Sequence, residues 1–194
     1  MTRKPITGTS GFPTTPQMLA TFASPPSFFE LSGPGTLVRL VQFKKTTYDG
    51  LNLENSRLNG SFWFEEEFLV RVRNRARTDL MQQQAQAGLP FANSFSDLVS
   101  NYMCHYLRND LAICKDWTND FDGYVRMRLL QGDRLIALVG PVARQPAYSS
   151  NHPQNAKVVA NNVFLDGMAT QYVIDFRFPA NQAYAKRIQP PSDF

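Results

Sequence analysis

Tyr124-Val125-Arg126-Met127-Arg128-Leu129 runs at a period of two, Gln131-Gly132-Asp133 interrupts it, and Arg134-Leu135-Ile136-Ala137-Leu138-Val139 resumes an apolar run. Alternation on both sides of a Gly-containing turn predicts two antiparallel strands joined as a hairpin. Gly140-Pro141 predicts the end of the second strand, because proline offers no N–H to a ladder. Downstream, residues 144–161 read as a polar loop and Gln171 to Phe178 as the last strand. Upstream, the period is that of a helix. Phe68, Val72, Ala76 and Leu80 recur every four residues with Leu69 alongside, which predicts a helix over about Glu65 to Ala87, stopped by Gly88-Leu89-Pro90. Glu65, Glu66 and Glu67 crowd its first turn, where the helix dipole favours negative charge. A second helix starts at Ser94, with Asp97 three residues on as an approximate capping box. Its apolar face holds Leu98, Tyr102 and Tyr106 with Val99, Met103 and Leu107, and it runs toward residues 111–113, with Trp117 packing nearby. Thr36 to Phe43 reads as a largely buried strand.

Strand, helices, then strands in that order predict an α+β protein with a mostly antiparallel sheet. At 194 residues the chain is long enough for one well-buried core. Residues 1–35 are rich in Pro, Ser, Thr and Gly, which predicts an N-terminal arm ahead of a domain over 36–194.

Composition narrows the function classes. Fifteen phenylalanines suit an aromatic core or a stacking pocket. A net charge of +4 is compatible with an anionic cofactor or nucleic acid and demands neither. Cys104 and Cys114, ten apart in a helical region, read as buried thiols. His105 and His152 offer no zinc ligand set, so no metal is expected. No apolar run approaches the ~20 residues that span a bilayer. Arg3 and Lys4 are not followed by an apolar signal segment, so the chain is expected in the cytoplasm or exported by a specialised secretion route. The arginines at 71, 73, 75 and 77 could meet nucleic acid, but such a row is more often a solvated helix face.

Three short stretches carry candidate chemistry. Leu37-Val38-Arg39-Leu40 sets a single cation in an apolar strand, which is costly to bury without an anion. Gly60-Ser61-Phe62-Trp63-Phe64 leads straight into the acidic helix start. Leu165-Asp166-Gly167-Met168-Ala169-Thr170-Gln171-Tyr172-Val173-Ile174 delivers one amide to the mouth of a strand. Each also has a plain reading: an ion-paired Arg39, ordinary aromatic packing (for Trp63 above all), and a strand-capping Gln171.

Together and in this order the three stretches resemble the ADP-ribosyltransferase superfamily, particularly its small bacterial toxin-like members. The resemblance lies across most of residues 36–178, on motifs that are short. It implies split antiparallel β-sheets with flanking helices and NAD as the substrate, bound across the split. It implies that Gln171 and Arg39 are catalytic. Arg39 would hold the pyrophosphate, Gly60 would allow close backbone approach, Ser61 would bond the arginine or ribose, and Phe62 or Phe64 would stack on nicotinamide. Gln171 stands where the family usually has an acidic residue, which fits members that use Gln, NAD glycohydrolase toxins among them. Asp175, on the same strand parity, is a reserve candidate about 13 Å further along. The implied activity is cleavage of the nicotinamide–ribose bond, with ADP-ribose passed to a protein or nucleic-acid acceptor or to water. A toxin or effector of this kind leaves room for an immunity protein as partner, and the lack of a spanning apolar run predicts no membrane partner. The competing expectation is a non-enzymatic binding or structural module, such as a phage or secretion-system component.

Overall fold

The computed structural model describes residues 1–41, 62–88, 95–113, 121, 123–146 and 164–194. Among the described residues ten strands are formed: β1 (Thr2–Pro5), β2 (Ser27–Ser32), β3 (Gly35–Val41), β4 (Phe62–Glu65), β5 (Gly123–Leu129), β6 (Arg134–Pro141), β7 (Gln145–Pro146), β8 (Phe164–Leu165), β9 (Thr170–Val173) and β10 (Ser192–Asp193). The helices are α1 (Pro16–Leu19), α2 (Glu66–Ala87), α3 (Phe95–Asp110) and α4 (Gln182–Ala185), the last preceded by a 3-10 turn at Pro179–Asn181. Eight strands join in the order β1-β2-β6-β9-β4-β3-β5-β10, while β7 and β8 form a separate ribbon. Every described strand pair is antiparallel. The chain is therefore α+β with a mostly antiparallel sheet.

The expected hairpin takes a different form. The turn is there: Asp133 donates its N–H to the Leu130 carbonyl, and Gly132 adopts φ +87°. Yet β5 and β6 do not pair with each other. β5 pairs with β3 and β10, β6 with β2 and β9. The turn is a corner that sends the chain from one half of the sheet to the other. Val125, Met127 and Leu129 then face Leu135, Ala137 and Val139 across a shared core that also holds Leu31, Leu37, Trp63 and Tyr172. Alternation marks which side chains go inward, and two facing layers satisfy it as well as one flat ribbon. A second corner, between β2 and β3, lies against the first. A Cβ on Gly33 would sit 2.2 Å from the Leu130 carbonyl oxygen.

β4 is the strand common to both halves. Phe62 and Trp63 pair with Val173 and Tyr172 of β9, while Phe64 and Glu65 pair with Val38 and Leu37 of β3. The helices cover the outer face of the β3–β5 half. Leu69, Val72, Ala76 and Leu80 of α2 and Val99, Met103 and Leu107 of α3 pack on Val38, Phe64 and Tyr124. These are the positions that the helical period selects. α2 stops at Gly88 in the left-handed region, φ +63°.

Three further expectations are corrected. Residues 1–35 are not an arm: β2 lies between β1 and β6, and Leu31 is fully buried in the central core. The Pro and Gly residues punctuate the segment, while Phe28, Phe29 and Leu31 supply enough apolar surface to pair β2. The last strand stops at Val173 rather than Phe178, whereas β6 runs on through Gly140-Pro141, which pair with Gln171 and Thr170. Beyond Val173, side chains finish the ladder on β6. Asn181, fully buried, accepts from the Ile136 N–H and donates to the Ile136 carbonyl at 2.9 and 2.8 Å. The Tyr184 hydroxyl does the same with Arg134 at 2.8 and 3.1 Å.

The corner contact makes a prediction. Gly33→Ala forces backbone against backbone and should cost about 3 kcal/mol, at the upper end of overpacking penalties. Gly132→Ala meets nothing within 4 Å and should cost about 1 kcal/mol for its positive φ alone. Urea unfolding midpoints of the two variants measure the difference.

Candidate functional site

The loop leading to β9 is held from both sides. The Gly167 and Ala169 N–H groups donate to the carbonyls of Asn109 and Asp110 at the end of α3. The Ala169 carbonyl accepts from Val142. Gly167 has φ +66°, and a Cβ there would lie 2.7 Å from the Ala143 carbonyl oxygen, so the glycine is required by both conformation and space. Met168 is left at the tip, 79% exposed. This arrangement fixes where Gln171 enters the sheet.

Gln171 is buried, and its amide is engaged. Nε2 donates to the Thr21 carbonyl at 3.0 Å and to the Thr21 hydroxyl at 2.7 Å. Its neighbour across the ladder is Gly140, over which the Phe22 ring lies. Gln171 thus belongs to the outer face of its strand, with Val173 and the Phe12–Phe22–Leu138 cluster. Arg39 has the parity of Leu37 and Val41, both in the central core, and so belongs to the inner face. The three motif strands are neighbours in the sheet, in the order β9-β4-β3, but their two polar candidates occupy opposite faces of it.

The aromatic candidates divide as well. Phe64 is buried against the helices and meets Phe68 edge-on at 5.4 Å, so it packs the core and offers no open stacking face. Trp63 is likewise interior, edge-on to Phe176. Phe62 is 41% exposed, opposite Val173 in the ladder. Gly60 and Ser61 lie outside the described residues, as do Cys114, Trp117 and His152. Asp175 falls past the end of β9, so the shared parity with Gln171 does not apply. Its carboxylate accepts from the Arg177 N–H and guanidinium. Those bonds hold it below the ordinary carboxylate range against the opposing effect of burial. His105 is exposed, and Cys104 is half-buried rather than buried, its thiol 3.4 Å from the Phe121 carbonyl.

A polar triad at β4 was missed from sequence. The Glu65 carboxylate accepts from Tyr172 at 2.7 Å and from Arg3 at 2.8 Å, and Arg3 also lies over the Tyr172 ring. Burial pushes Glu65 upward, but the bonds from Tyr172 and Arg3 outweigh it and leave the carboxyl below its ordinary 4.5. Burial, reinforced by the Glu65 carboxylate, holds the Tyr172 phenol far above its ordinary 10. Tyr172 stands in the quoted strand, but its partners are 107 and 169 residues distant in sequence, and only pairing reveals them. On α2, Arg75 stacks on Tyr106 at 4.1 Å, Tyr106 donates to Asp79, and Arg75 approaches Asp110 at 3.6 Å. That arginine fastens α2 to α3. Among the described residues no group of His, Cys, Asp and Glu could hold a metal ion, and no helix is long and apolar enough to cross a membrane.

Comparison of the chain with protein-family models, with curated proteins and with solved structures returns no match.

The depressed Glu65 pKa sets a pH dependence. Its contribution is complete above the unfolded value near 4.5 and is lost as pH falls through the lower folded value. Glu65→Gln should therefore flatten the loss of stability below pH 4.5 relative to wild type. Thermal melts of both proteins between pH 3 and 7 (roughly the carboxylate range and above) measure it. Parallel curves would show that the triad carries no titrating stability.

Proposed function

We propose that the chain is an NAD-consuming enzyme of ADP-ribosyltransferase-like fold, most simply an NAD glycohydrolase. The observation that supports this reading is the placement of β9, β4 and β3. The three stretches on which the resemblance rests, far apart in sequence, lie on adjacent strands, and β4 divides the sheet between them.

In this reading the bond between nicotinamide and ribose C1′ breaks, and nicotinamide leaves with the bonding pair. The oxocarbenium-like ribose then takes a water oxygen at C1′, and that water releases a proton. Gln171 supplies an oriented amide dipole to the ribose hydroxyls, which serves positioning more than charge stabilisation. A carboxylate in that place would favour transfer to an arginine side chain, so the amide favours water. A protein or nucleic acid is the acceptor if transfer occurs. Phe62 would serve the nicotinamide ring from β4, whereas Arg39 lies on β3, beyond β4 and on the opposite face of the sheet from Gln171, so its phosphate role rests on the resemblance alone. Gly60 and Ser61, outside the described residues, keep only the roles that the resemblance implies. A bacterial toxin or effector follows from the resemblance alone, with an immunity protein as its natural partner.

A second reading, a non-enzymatic binding or structural module such as a phage or secretion-system component, is favoured by one specific observation. Both N–H groups of the Gln171 amide are occupied by Thr21, as a purely structural residue's would be.

Nicotinamide release from NAD by the purified protein decides between them. Release by the protein alone is expected, falling about 100-fold or more in Gln171→Ala, the scale for losing one aligned dipole. Release only with cell lysate, together with labelled macromolecule, would indicate a transferase. No turnover under either condition, with no calorimetric binding of NAD, supports the module.

A further inference from the structure

β1 and β2 are paired antiparallel strands, and about two to five residues would suffice to join them. Residues 6–26 join them instead, and the extra chain lies over the outer face of β6 and β9. There it meets Gln171. The Ala23 N–H donates to the Pro141 carbonyl and the Ala143 N–H to the Thr21 carbonyl, a short seam with Phe22 opposite Val142. The Phe22 ring sits on Gly140, next to the glutamine.

We propose that residues 6–26 form a hinged cover in which Thr21 occupies the position of the ribose diol on Gln171. This rests on the reading of the protein as an NAD-consuming enzyme. Thr21 presents two oxygens, a hydroxyl and a carbonyl, at 2.7 and 3.0 Å from the Gln171 Nε2. A ribose presents two vicinal hydroxyl oxygens, which can accept the same two N–H donors. The cover and the ribose therefore compete for one amide. Gly8 and Gly11, at φ +56° and +87° with open space around them, give the loop one pliable end. Ser24-Pro25-Pro26 gives it a stiff other end. Opening breaks the two seam bonds and the two bonds to Gln171, lifts Phe22 from Gly140 and uncovers Phe12 and Phe22 from Leu138 and Val173. The covalent frame of β1 and β2 stays paired.

The seam provides its own test. Phe22 and Val142 face each other between the two seam bonds, a non-hydrogen-bonded pair whose close Cα spacing suits a disulfide. Phe22→Cys with Val142→Cys, in a Cys104→Ser/Cys114→Ser background, locks the cover when oxidised and frees it when reduced. Nicotinamide release should be at least about tenfold slower oxidised than reduced, with melting temperatures of both forms showing a folded protein. In wild type, the Ala23 and Ala143 amides should exchange with deuterium at least about tenfold faster than the core amides of β5 and β6, as expected for sub-global opening. Equal release from the oxidised and reduced forms overturns the cover alone and leaves the enzyme reading intact. Seam amides as slow as the core also overturn it, because the segment is then a permanent layer. No release from wild type refutes the enzyme reading itself, and the gate with it.

Discussion

Gly33 has no side chain, and the Leu130 carbonyl occupies the space that one would need. At this contact the two chain corners press together, backbone on backbone. One leads from β2 to β3 and the other from β6's half of the sheet to β5's. Because both corners lie at the same place, the eight-stranded sheet folds over on itself and shuts a core between its halves. A larger residue would push the corners apart, and the facing rows from Val125 to Leu129 and from Leu135 to Val139 would lose contact. The remaining layers are built on that closed centre, with helices on one outer face and the β1–β2 loop on the other.

β4 carries the complementary burden. Four residues long, it pairs through its first half with β9 and through its second with β3. A strand so short gains little from its own ladder, and Glu65 at its end adds bonds from Tyr172 of β9 and from Arg3 of β1. The triad pins the place where the two halves of the sheet share an edge. Tyr172 is buried and Glu65 half-buried, so their polar groups are costly to dehydrate, and each is satisfied within the triad.

Much of this was legible in the chain, but unevenly. The helices follow from a four-residue period, and Val72, Ala76, Leu80, Val99, Met103 and Leu107 are buried where it places them. The strands at 124–129 and 134–139 follow from the pattern of their apolar residues, short of the two residues by which the second runs on. Their partners do not, because inward-facing residues look alike in a hairpin and in two facing layers. The N-terminal segment misled for a related reason. Its prolines and glycines mark breaks but say nothing of Leu31 or Phe22 between them, whose burial depends on a surface made by β6 and β9. The candidate site shows the same limit. Period-two parity suffices to assign Arg39 and Gln171 to faces within their own strands, yet only the strand order reveals that those faces are opposite. Thr21 carried no local signal at all.

Asn181 and Tyr184 are more than packing residues at the end of the chain. Each imitates a strand, offering one donor and one acceptor to a residue of β6 that β9 does not reach. With them in place, an otherwise open rim in the middle of the sheet is closed to outsiders. A chain lacking this tail would present the main-chain groups of Arg134 and Ile136 as a docking strip for any extended peptide, another copy of itself included. The C-terminal residues are in that sense a guard against self-association, built from an amide and a phenol instead of a strand.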